Sequence, residues 1–289
     1  MKTRTGQFPI GVRRGWTDWF KDTAGLVAWV KANGLEAIDI GRDGDVIGAQ
    51  ILDAGLKLGS VDLKEWHGMI SPDADTRKRA IAANVAYIEA CAKLGPLNYF
   101  LVMLPEKPEL PRAENFGYMV ESFAALAPML EQHGGHIVIE GWPGPGALCC
   151  TPEGYRAFFK AVPSASMGVN YDPSHLQRMG IDPIRFLREF IGQVHHVHGK
   201  DCALLADNAY EYGHEQPATF AKPIQFGNQA WRYTIPGHGS SSWLDIVQIL
   251  QQNHYAGAIS IELEDANFNG STAGEQLGLT LGAQFLASL

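Results

Sequence analysis

Four short apolar stretches each end on a residue able to bind a cation or carry a proton: Glu140, Asp172, His198 and Glu262. In the segment 258–262 (AISIE), Ile259 and Ile261 share one face of an extended chain, and Glu262 shares the other with Ala258 and Ser260. In 136–140 (HIVIE), Ile137 and Ile139 face away from Glu140. In 167–172 (MGVNYD), Met167, Val169 and Tyr171 form the apolar face and Asp172 lies opposite. In 194–198 (VHHVH), His198 shares its face with Val194 and His196. Three carboxylates brought together in a confined place repel one another and resist common ionisation. A divalent cation removes that conflict. Oxygen donors with one imidazole suit Mn²⁺, Mg²⁺ or Co²⁺, and Zn²⁺ is also compatible. Such an ion polarises a carbonyl or clamps neighbouring oxygens of a polyol, and Glu140 and Glu262 are placed to act beside it as base and acid. Taken singly, each residue could equally cap its strand by binding loop backbone; four at matching positions point to one ion.

The elements that must position these residues follow from periodicity. Eight candidate strands lie at 8–12, 37–40, 56–61, 99–103, 136–140, 167–172, 193–198 and 258–262. Helical spacing fills the gaps, as where Ile81, Val85, Ile88 and Ala92 recur every three or four residues. Ser71-Pro72, Thr151-Pro152 and Asp182-Pro183 each offer a capping oxygen followed by a proline suited to the first helical turn. Thr272 and Glu275 have the spacing of a capping box opening a last helix, with Leu277, Leu281 and Phe285 inward. Alternating strands and helices imply parallel strands, and eight such units imply an α/β (β/α)8 barrel, with an open doubly wound sheet as the alternative. No G-x-G-x-x-G turn follows the first strand, which disfavours dinucleotide binding. In a barrel, apolar residues of one parity meet the outer helices and the other parity points inward. Active sites occupy the carboxyl ends of the strands, where all four residues fall.

Length and composition agree with this reading. A chain of 289 residues fits one barrel domain with a sizeable core, its composition 46% hydrophobic and 19% charged. A net charge of −8 argues against a nucleic-acid partner. The polar N-terminus lacks a secretory apolar stretch, and no run is long enough to span a membrane, so a cytoplasmic protein is expected. Cys91, Cys149, Cys150 and Cys202 have no zinc-finger spacing and read as free thiols. The oligomeric state is open, homo-oligomers being common among soluble enzymes. Between His198 and a helix beginning near Ser241 lies a long stretch without periodicity (about 200–240), rich in aromatic residues. Tyr210, Tyr212, Phe220, Phe226, Trp231 and Tyr233 argue against disorder, so the stretch reads as an active-site loop or lid after the seventh strand.

The motifs VIEGW (138–142), NYDPSHL (170–176), HVHGKD (196–201), PGHG (236–239) and ISIELED (259–265) together resemble the xylose isomerase-like TIM-barrel superfamily, in particular its sugar phosphate isomerase/epimerase members. Ketose 3-epimerases and inosose dehydratases are relatives within it. The resemblance implies one divalent metal held by Glu140, Asp172, His198 and Glu262, with Glu140 and Glu262 also transferring protons. It matches His175 to a histidine that contacts substrate oxygens, and Lys200 and Asp201 to the tail of the metal-histidine motif. The epimerases carry an arginine a few residues beyond that histidine; here the stretch from Cys202 has none, and Arg232 in the long loop is the candidate substitute. Trp142, Trp66 and His67 follow strands and could line a sugar, and His238 could contact it; packing or backbone roles are as compatible with the residues themselves. His196, one layer below His198, could support a ligand. The implied activity is isomerisation or epimerisation of a sugar or sugar derivative, with an inosose-type dehydratase as the alternative.

Overall fold

A computed structural model describes residues 1–289. Its strands are β1 (Ile10–Arg13), β2 (Ala37–Ile40), β3 (Lys57–Asp62), β4 (Asn98–Val102), β5 (His136–Glu140), β6 (Met167–Tyr171), β7 (Val194–Gly199), β8 (Asp201–Leu204), β9 (Trp231–Thr234) and β10 (Ile259–Ile261). Eight of them close a barrel in the order β1-β10-β7-β6-β5-β4-β3-β2, and β8 and β9 form a separate two-stranded sheet. The fold is the (β/α)8 barrel that the alternation requires. No helix is long and apolar enough to cross a membrane.

The chain divides into two units, 39–171 with 190–196, and 1–38 with 172–189 and 197–289. In the first, β3 to β6 pair in parallel, with Val102 in register with Glu140 and Glu140 with Asn170. Phe100, Val102 and Val138 form an apolar cluster there, against which Trp66, Leu104 and Trp142 pack. Asp39 and His196 are fully buried in the same unit and joined at 2.7 Å. Asp39 sits between Ile38 and Ile40, so the alternation that buries the isoleucines on one face commits the carboxylate to the other. A buried carboxylate is tolerable only with such a partner.

In the second unit β10 pairs with both β1 and β7, with Ser260 level with His198 and Ile261 level with Gly199. Gly11 is required where β1 runs beside β10: a Cβ would lie 2.7 Å from Ala37 and 2.9 Å from Ser260 Oγ. The stretch expected to lack secondary structure carries its own. Beyond β8 comes a helix over Ala206–Tyr212, and β9 returns antiparallel to β8, pairing Asp201 with Thr234 and Leu204 with Trp231. Its aromatics do not act alike. Tyr233 is buried, whereas Tyr210 and Phe220 are 91% and 97% exposed.

Helix starts test the capping expectations. Thr151 accepts from Gly154 N, and Asp182 accepts from the amides of Ile184 and Arg185, as read. The helix Ala74–Cys91 is capped instead by Asp73, whose carboxylate accepts from Thr76 N at 2.7 Å. The last helix, Thr272–Ser288, is capped by Ser271, one residue before the expected Thr272; Glu275 Oε2 accepts from Thr17 Oγ1 and Trp19 Nε1, both at 2.6 Å, and its Oε1 from Gly270 N at 3.4 Å. The buried stripe of that helix is correspondingly Gly278, Leu279, Gly282, Ala283 and Leu286, and Leu277 is exposed. The four cysteines are free and buried.

At the amino ends of β5 and β7, the rings of His136 and His195 stack at 3.9 Å. Gly168 gives them room, since a Cβ there would strike His195 and lie 2.7 Å from Gln193 O. Burial lowers both imidazoles, and the neighbouring His136 adds to the effect on His195, which falls to about 4. An unfolded histidine titrates near 6.5. Between these values the unfolded chain holds more protons than the folded one, so the contribution of the neutral pair is complete above pH 6.5 and lost on acidification towards pH 4. Thermal melts should therefore drop by several degrees from pH 7 to pH 5, and His195→Leu should flatten that slope. An unchanged slope in the variant would show that the pair is not its source.

Candidate functional site

The register of β7 and β10 dictates the centre of the site. Because Ile261 is level with Gly199, the next residues, Glu262 and Lys200, leave the barrel side by side. Lys200 Nζ lies 2.5 Å from Glu262 Oε2, 3.0 Å from Glu264 Oε2 and 3.3 Å from Asp172 Oδ2. This lysine is 1% exposed. Arg13, the last residue of β1, reaches Glu262 Oε1 at 3.2 Å, and His198 Nδ1 is 3.4 Å from Glu262 Oε2. Burial alone would raise the Glu262 carboxyl; Lys200, His198 and Arg13 outweigh it and hold the group well below the usual carboxylate range. Glu262 is thus an ionised side chain at neutral pH.

Asp172 follows β6 and caps the short helix Pro173–Arg178. Its Oδ1 accepts from Ser174 N at 2.8 Å and from Ser174 Oγ at 2.6 Å. Oδ2 is buried without a hydrogen-bond partner and faces Lys200 and, at 3.4 Å, His175 Nε2. Capping fixes one oxygen and aims the other. Glu140, at the end of β5, is held in a similar way: its Oε2 accepts from Asn170 Nδ2 at 2.8 Å. Glu140, Asp172, His198 and Glu262 offer ligand atoms that all lie within 4.8 Å of one another. An oxygen-rich set with one imidazole, and a buried carboxylate oxygen left unsatisfied, fits a divalent cation.

A hydrogen-bonded network adjoins these carboxylates. Arg178 donates to Tyr233 Oη at 2.6 Å, and His175 Nδ1 shares the same oxygen, also at 2.6 Å. Burial lifts the Tyr233 phenol above its ordinary range despite Lys200 and Arg178, which keeps it protonated. His175 Nε2 lies 3.3 Å from Lys200 Nζ. Lys200 thus donates to Glu262 and Glu264 and reaches His175, with Asp172 beside it as an ion-pair partner. Tyr233 belongs to β9, so the excursion after β7 supplies part of the site. Arg178 stacks on Trp231 of the same strand at 4.4 Å, and Lys200 Nζ lies 4.7 Å from the Tyr233 ring.

Asp201 ties this excursion down. Its Oδ1 accepts from Cys202 N (2.8 Å) and Ser241 N (2.9 Å), and its Oδ2 from Gly237 N (3.1 Å) and Trp243 Nε1 (3.2 Å). One carboxylate thereby joins the first and last residues of the loop.

The remaining predicted residues are distributed more widely. His67 and Trp142 share a cleft with Leu104, Glu106 and Pro145. Arg232 is turned to Asp265, 3.6 Å away, and is a quarter exposed. His238 is exposed, with Phe268 as its ring neighbour at 6.1 Å. A further small cleft opens beside Glu262, lined by Arg13, Arg14, Trp16, Thr17, Asn269 and Glu275. Sequence reading passed over Arg13, Glu264, Arg178 and Asp39. Arg13 and Glu264 had a usable signal, since Arg13 ends β1 and Glu264 follows β10 by three residues. Arg178 had none, because its role depends on a tyrosine 55 residues away.

A closed parallel barrel with three carboxylates and an imidazole at its strand ends defines a class of TIM barrels whose strand ends could hold a cation. Residues 13–288 match the family described as Xylose isomerase-like TIM barrel, and the chain belongs to that family. It is 36% identical over 133 residues to the uncharacterised protein YfiH of Bacillus subtilis, a stretch covering 45% of this chain and 41% of that one. It is 30% identical over 151 residues to an inosose dehydratase of Clostridium botulinum, covering 52% and 48%. The match thus spans less than half the length of these curated relatives. Among solved structures, 3-keto-D-glucoside 4-epimerase from E. coli superposes with a TM-score of 0.70 at 13% identity, over 96% of this chain and 98% of that one. D-psicose 3-epimerase gives 0.69 at 15% identity, over 96% and 97%. These likenesses establish the shared fold.

Asp201→Asn should weaken four hydrogen bonds to a buried carboxylate and cost at least ~2 kcal/mol in chemical denaturation. Limited proteolysis should then cut within 202–240 before any other region. Unchanged protease resistance would show that the loop is held by other contacts.

Proposed function

We propose that this chain is a divalent-metal-dependent enzyme that moves a proton beside the carbonyl of a sugar or polyol ketone, as an isomerase or epimerase. The observation that carries the reading is the convergence of Glu140, Asp172, His198 and Glu262 at one end of the barrel. Charge supports it. Glu140, Asp172, Glu262 and Glu264 against Lys200 and Arg13 leave a formal charge of −2, which one divalent ion cancels. A neutral substrate then needs no further compensation, whereas a phosphorylated one brings charge that these groups do not balance. The ion, Mn²⁺, Mg²⁺, Co²⁺ or Zn²⁺ by donor type, supplies polarisation of the carbonyl and of its neighbouring hydroxyl.

The residues of the chain supply the proton handling. Glu262 enters ionised, the form that can accept a proton from the carbon next to the carbonyl. Glu140 is the second carboxylate able to return one to another position or face. Lys200 is a donor to substrate oxygens, with His175 Nε2 beside it at 3.3 Å. Trp142 and His67 offer a surface for the ring's C–H face, and the Arg13–Arg14 cleft offers polar room beside Glu262.

A second reading, dehydration as in an inosose dehydratase, is favoured by the similarity over half of the chain to enzymes of that name. It shares the first proton removal and adds loss of a β-hydroxyl, for which the Lys200 ammonium is the acid at hand. The two separate by product: an isomer of unchanged mass, or a product lighter by one water.

Purified protein should retain about one divalent ion per chain, lost on substitution of Glu140 or His198. In D₂O with candidate ketoses and inososes, substrate protons should exchange with solvent. Glu262→Gln should fold normally and lower that exchange at least ~10²-fold. Full activity in this variant, or no bound ion after incubation with Mn²⁺ or Co²⁺, would overturn the reading.

A further inference from the structure

Lys200 is seated on the oxygens that a cation needs. Its ammonium approaches Asp172 Oδ2 and Glu262 Oε2, two carboxylates of the converging four, and it is almost wholly buried among them. Metal–oxygen bonds are about 2.0–2.3 Å long. Neither oxygen can present the same lone pairs to an ammonium at 2.5–3.3 Å and to a divalent ion at bonding distance, and two cations that close repel. The third partner differs. Glu264 Oε2, 3.0 Å from Nζ, lies outside the converging set and is the most exposed of the three carboxylates, at 18%. The Tyr233 ring lies on the same ammonium, 4.7 Å away, and favours a cation at its face.

We propose that Lys200 is a built-in competitor for the metal, displaced from Asp172 and Glu262 onto Glu264 and the Tyr233 ring when a divalent ion binds. This rests on reading the cluster as a metal site. The four-carbon stem of lysine, with its freely turning bonds, permits the shift while the charge stays paired. Metal affinity is then set by how well Glu264 receives the ammonium, and loading repositions a donor that faces the substrate. Lysine here is a positioning residue for the metal, holding the carboxylates together against their own repulsion and yielding to the ion.

The test is metal affinity itself, read by competition with a chromogenic chelator for Mn²⁺ and Co²⁺, with the Co²⁺ absorption spectrum as a second readout. Lys200→Met should bind either ion at least about tenfold more tightly than the parent chain. Glu264→Gln, which keeps Lys200 but removes its receiving carboxylate, should bind about three- to tenfold more weakly. In the double variant the Glu264→Gln effect should shrink to under about twofold, since no ammonium remains to be received. An affinity in Lys200→Met equal to or weaker than that of the parent overturns the proposal. So does an undiminished Glu264→Gln effect in the double variant, which would mark simple loss of negative charge. If Lys200→Met does not fold, Glu264→Gln alone decides, an affinity equal to the parent's overturning the coupling. Failure of the parent chain to bind either ion would overturn the metal reading and this proposal together; binding without coupling overturns only this one.

Discussion

Repulsion among carboxylates at the mouth of the barrel is the constraint around which the rest is arranged. Asp172, Glu262 and Glu264 surround one buried ammonium, and a folded chain cannot leave such groups ionised and uncompensated. Lys200 and Arg13 meet part of that requirement from within the chain. The residual charge is of the size that a divalent ion removes. On the proposed reading, stability and cation affinity are opposite uses of one set of oxygens.

Position is enforced by hydrogen bonds that consume one oxygen of a carboxylate and aim the other. Ser174 does this for Asp172, and Asn170 for Glu140. The same logic extends outward through His175, Tyr233 and Arg178, which meet at one phenolic oxygen. Tyr233 arrives on β9, so the ordering of an imidazole beside the barrel depends on a loop folded back by the single carboxylate of Asp201. The excursion is thus joined to these residues through Tyr233.

The two ends of the strands have opposite electrostatic character. At the carboxyl ends, polar residues are buried because they are paired. At the amino ends, His136 and His195 are partly buried and held neutral by desolvation, which ties stability to pH without bearing on the chemistry. Asp39 with His196 lies in the strand interior, where an isolated charge of either kind would be costly.

Alternation of period two within strands, and the strand–helix alternation between them, are properties of the chain alone. They determined the eight barrel strands to within two residues at each end, the parity of Glu140, Asp172, His198 and Glu262, and hence their convergence once the barrel closes. The caps at Thr151 and Asp182 were legible because a capping oxygen acts within three residues. Where a side chain had a distant partner, local reading failed. Glu275 has the spacing of a capping box, yet Thr17 and Trp19, more than 250 residues away in sequence, take its carboxylate. Arg13 on Glu262, Arg178 on Tyr233 and the seat of Lys200 depend likewise on register and on a loop returning to the barrel. Spacing in sequence fixes which face a residue takes; only closure of the sheet fixes which charges then meet.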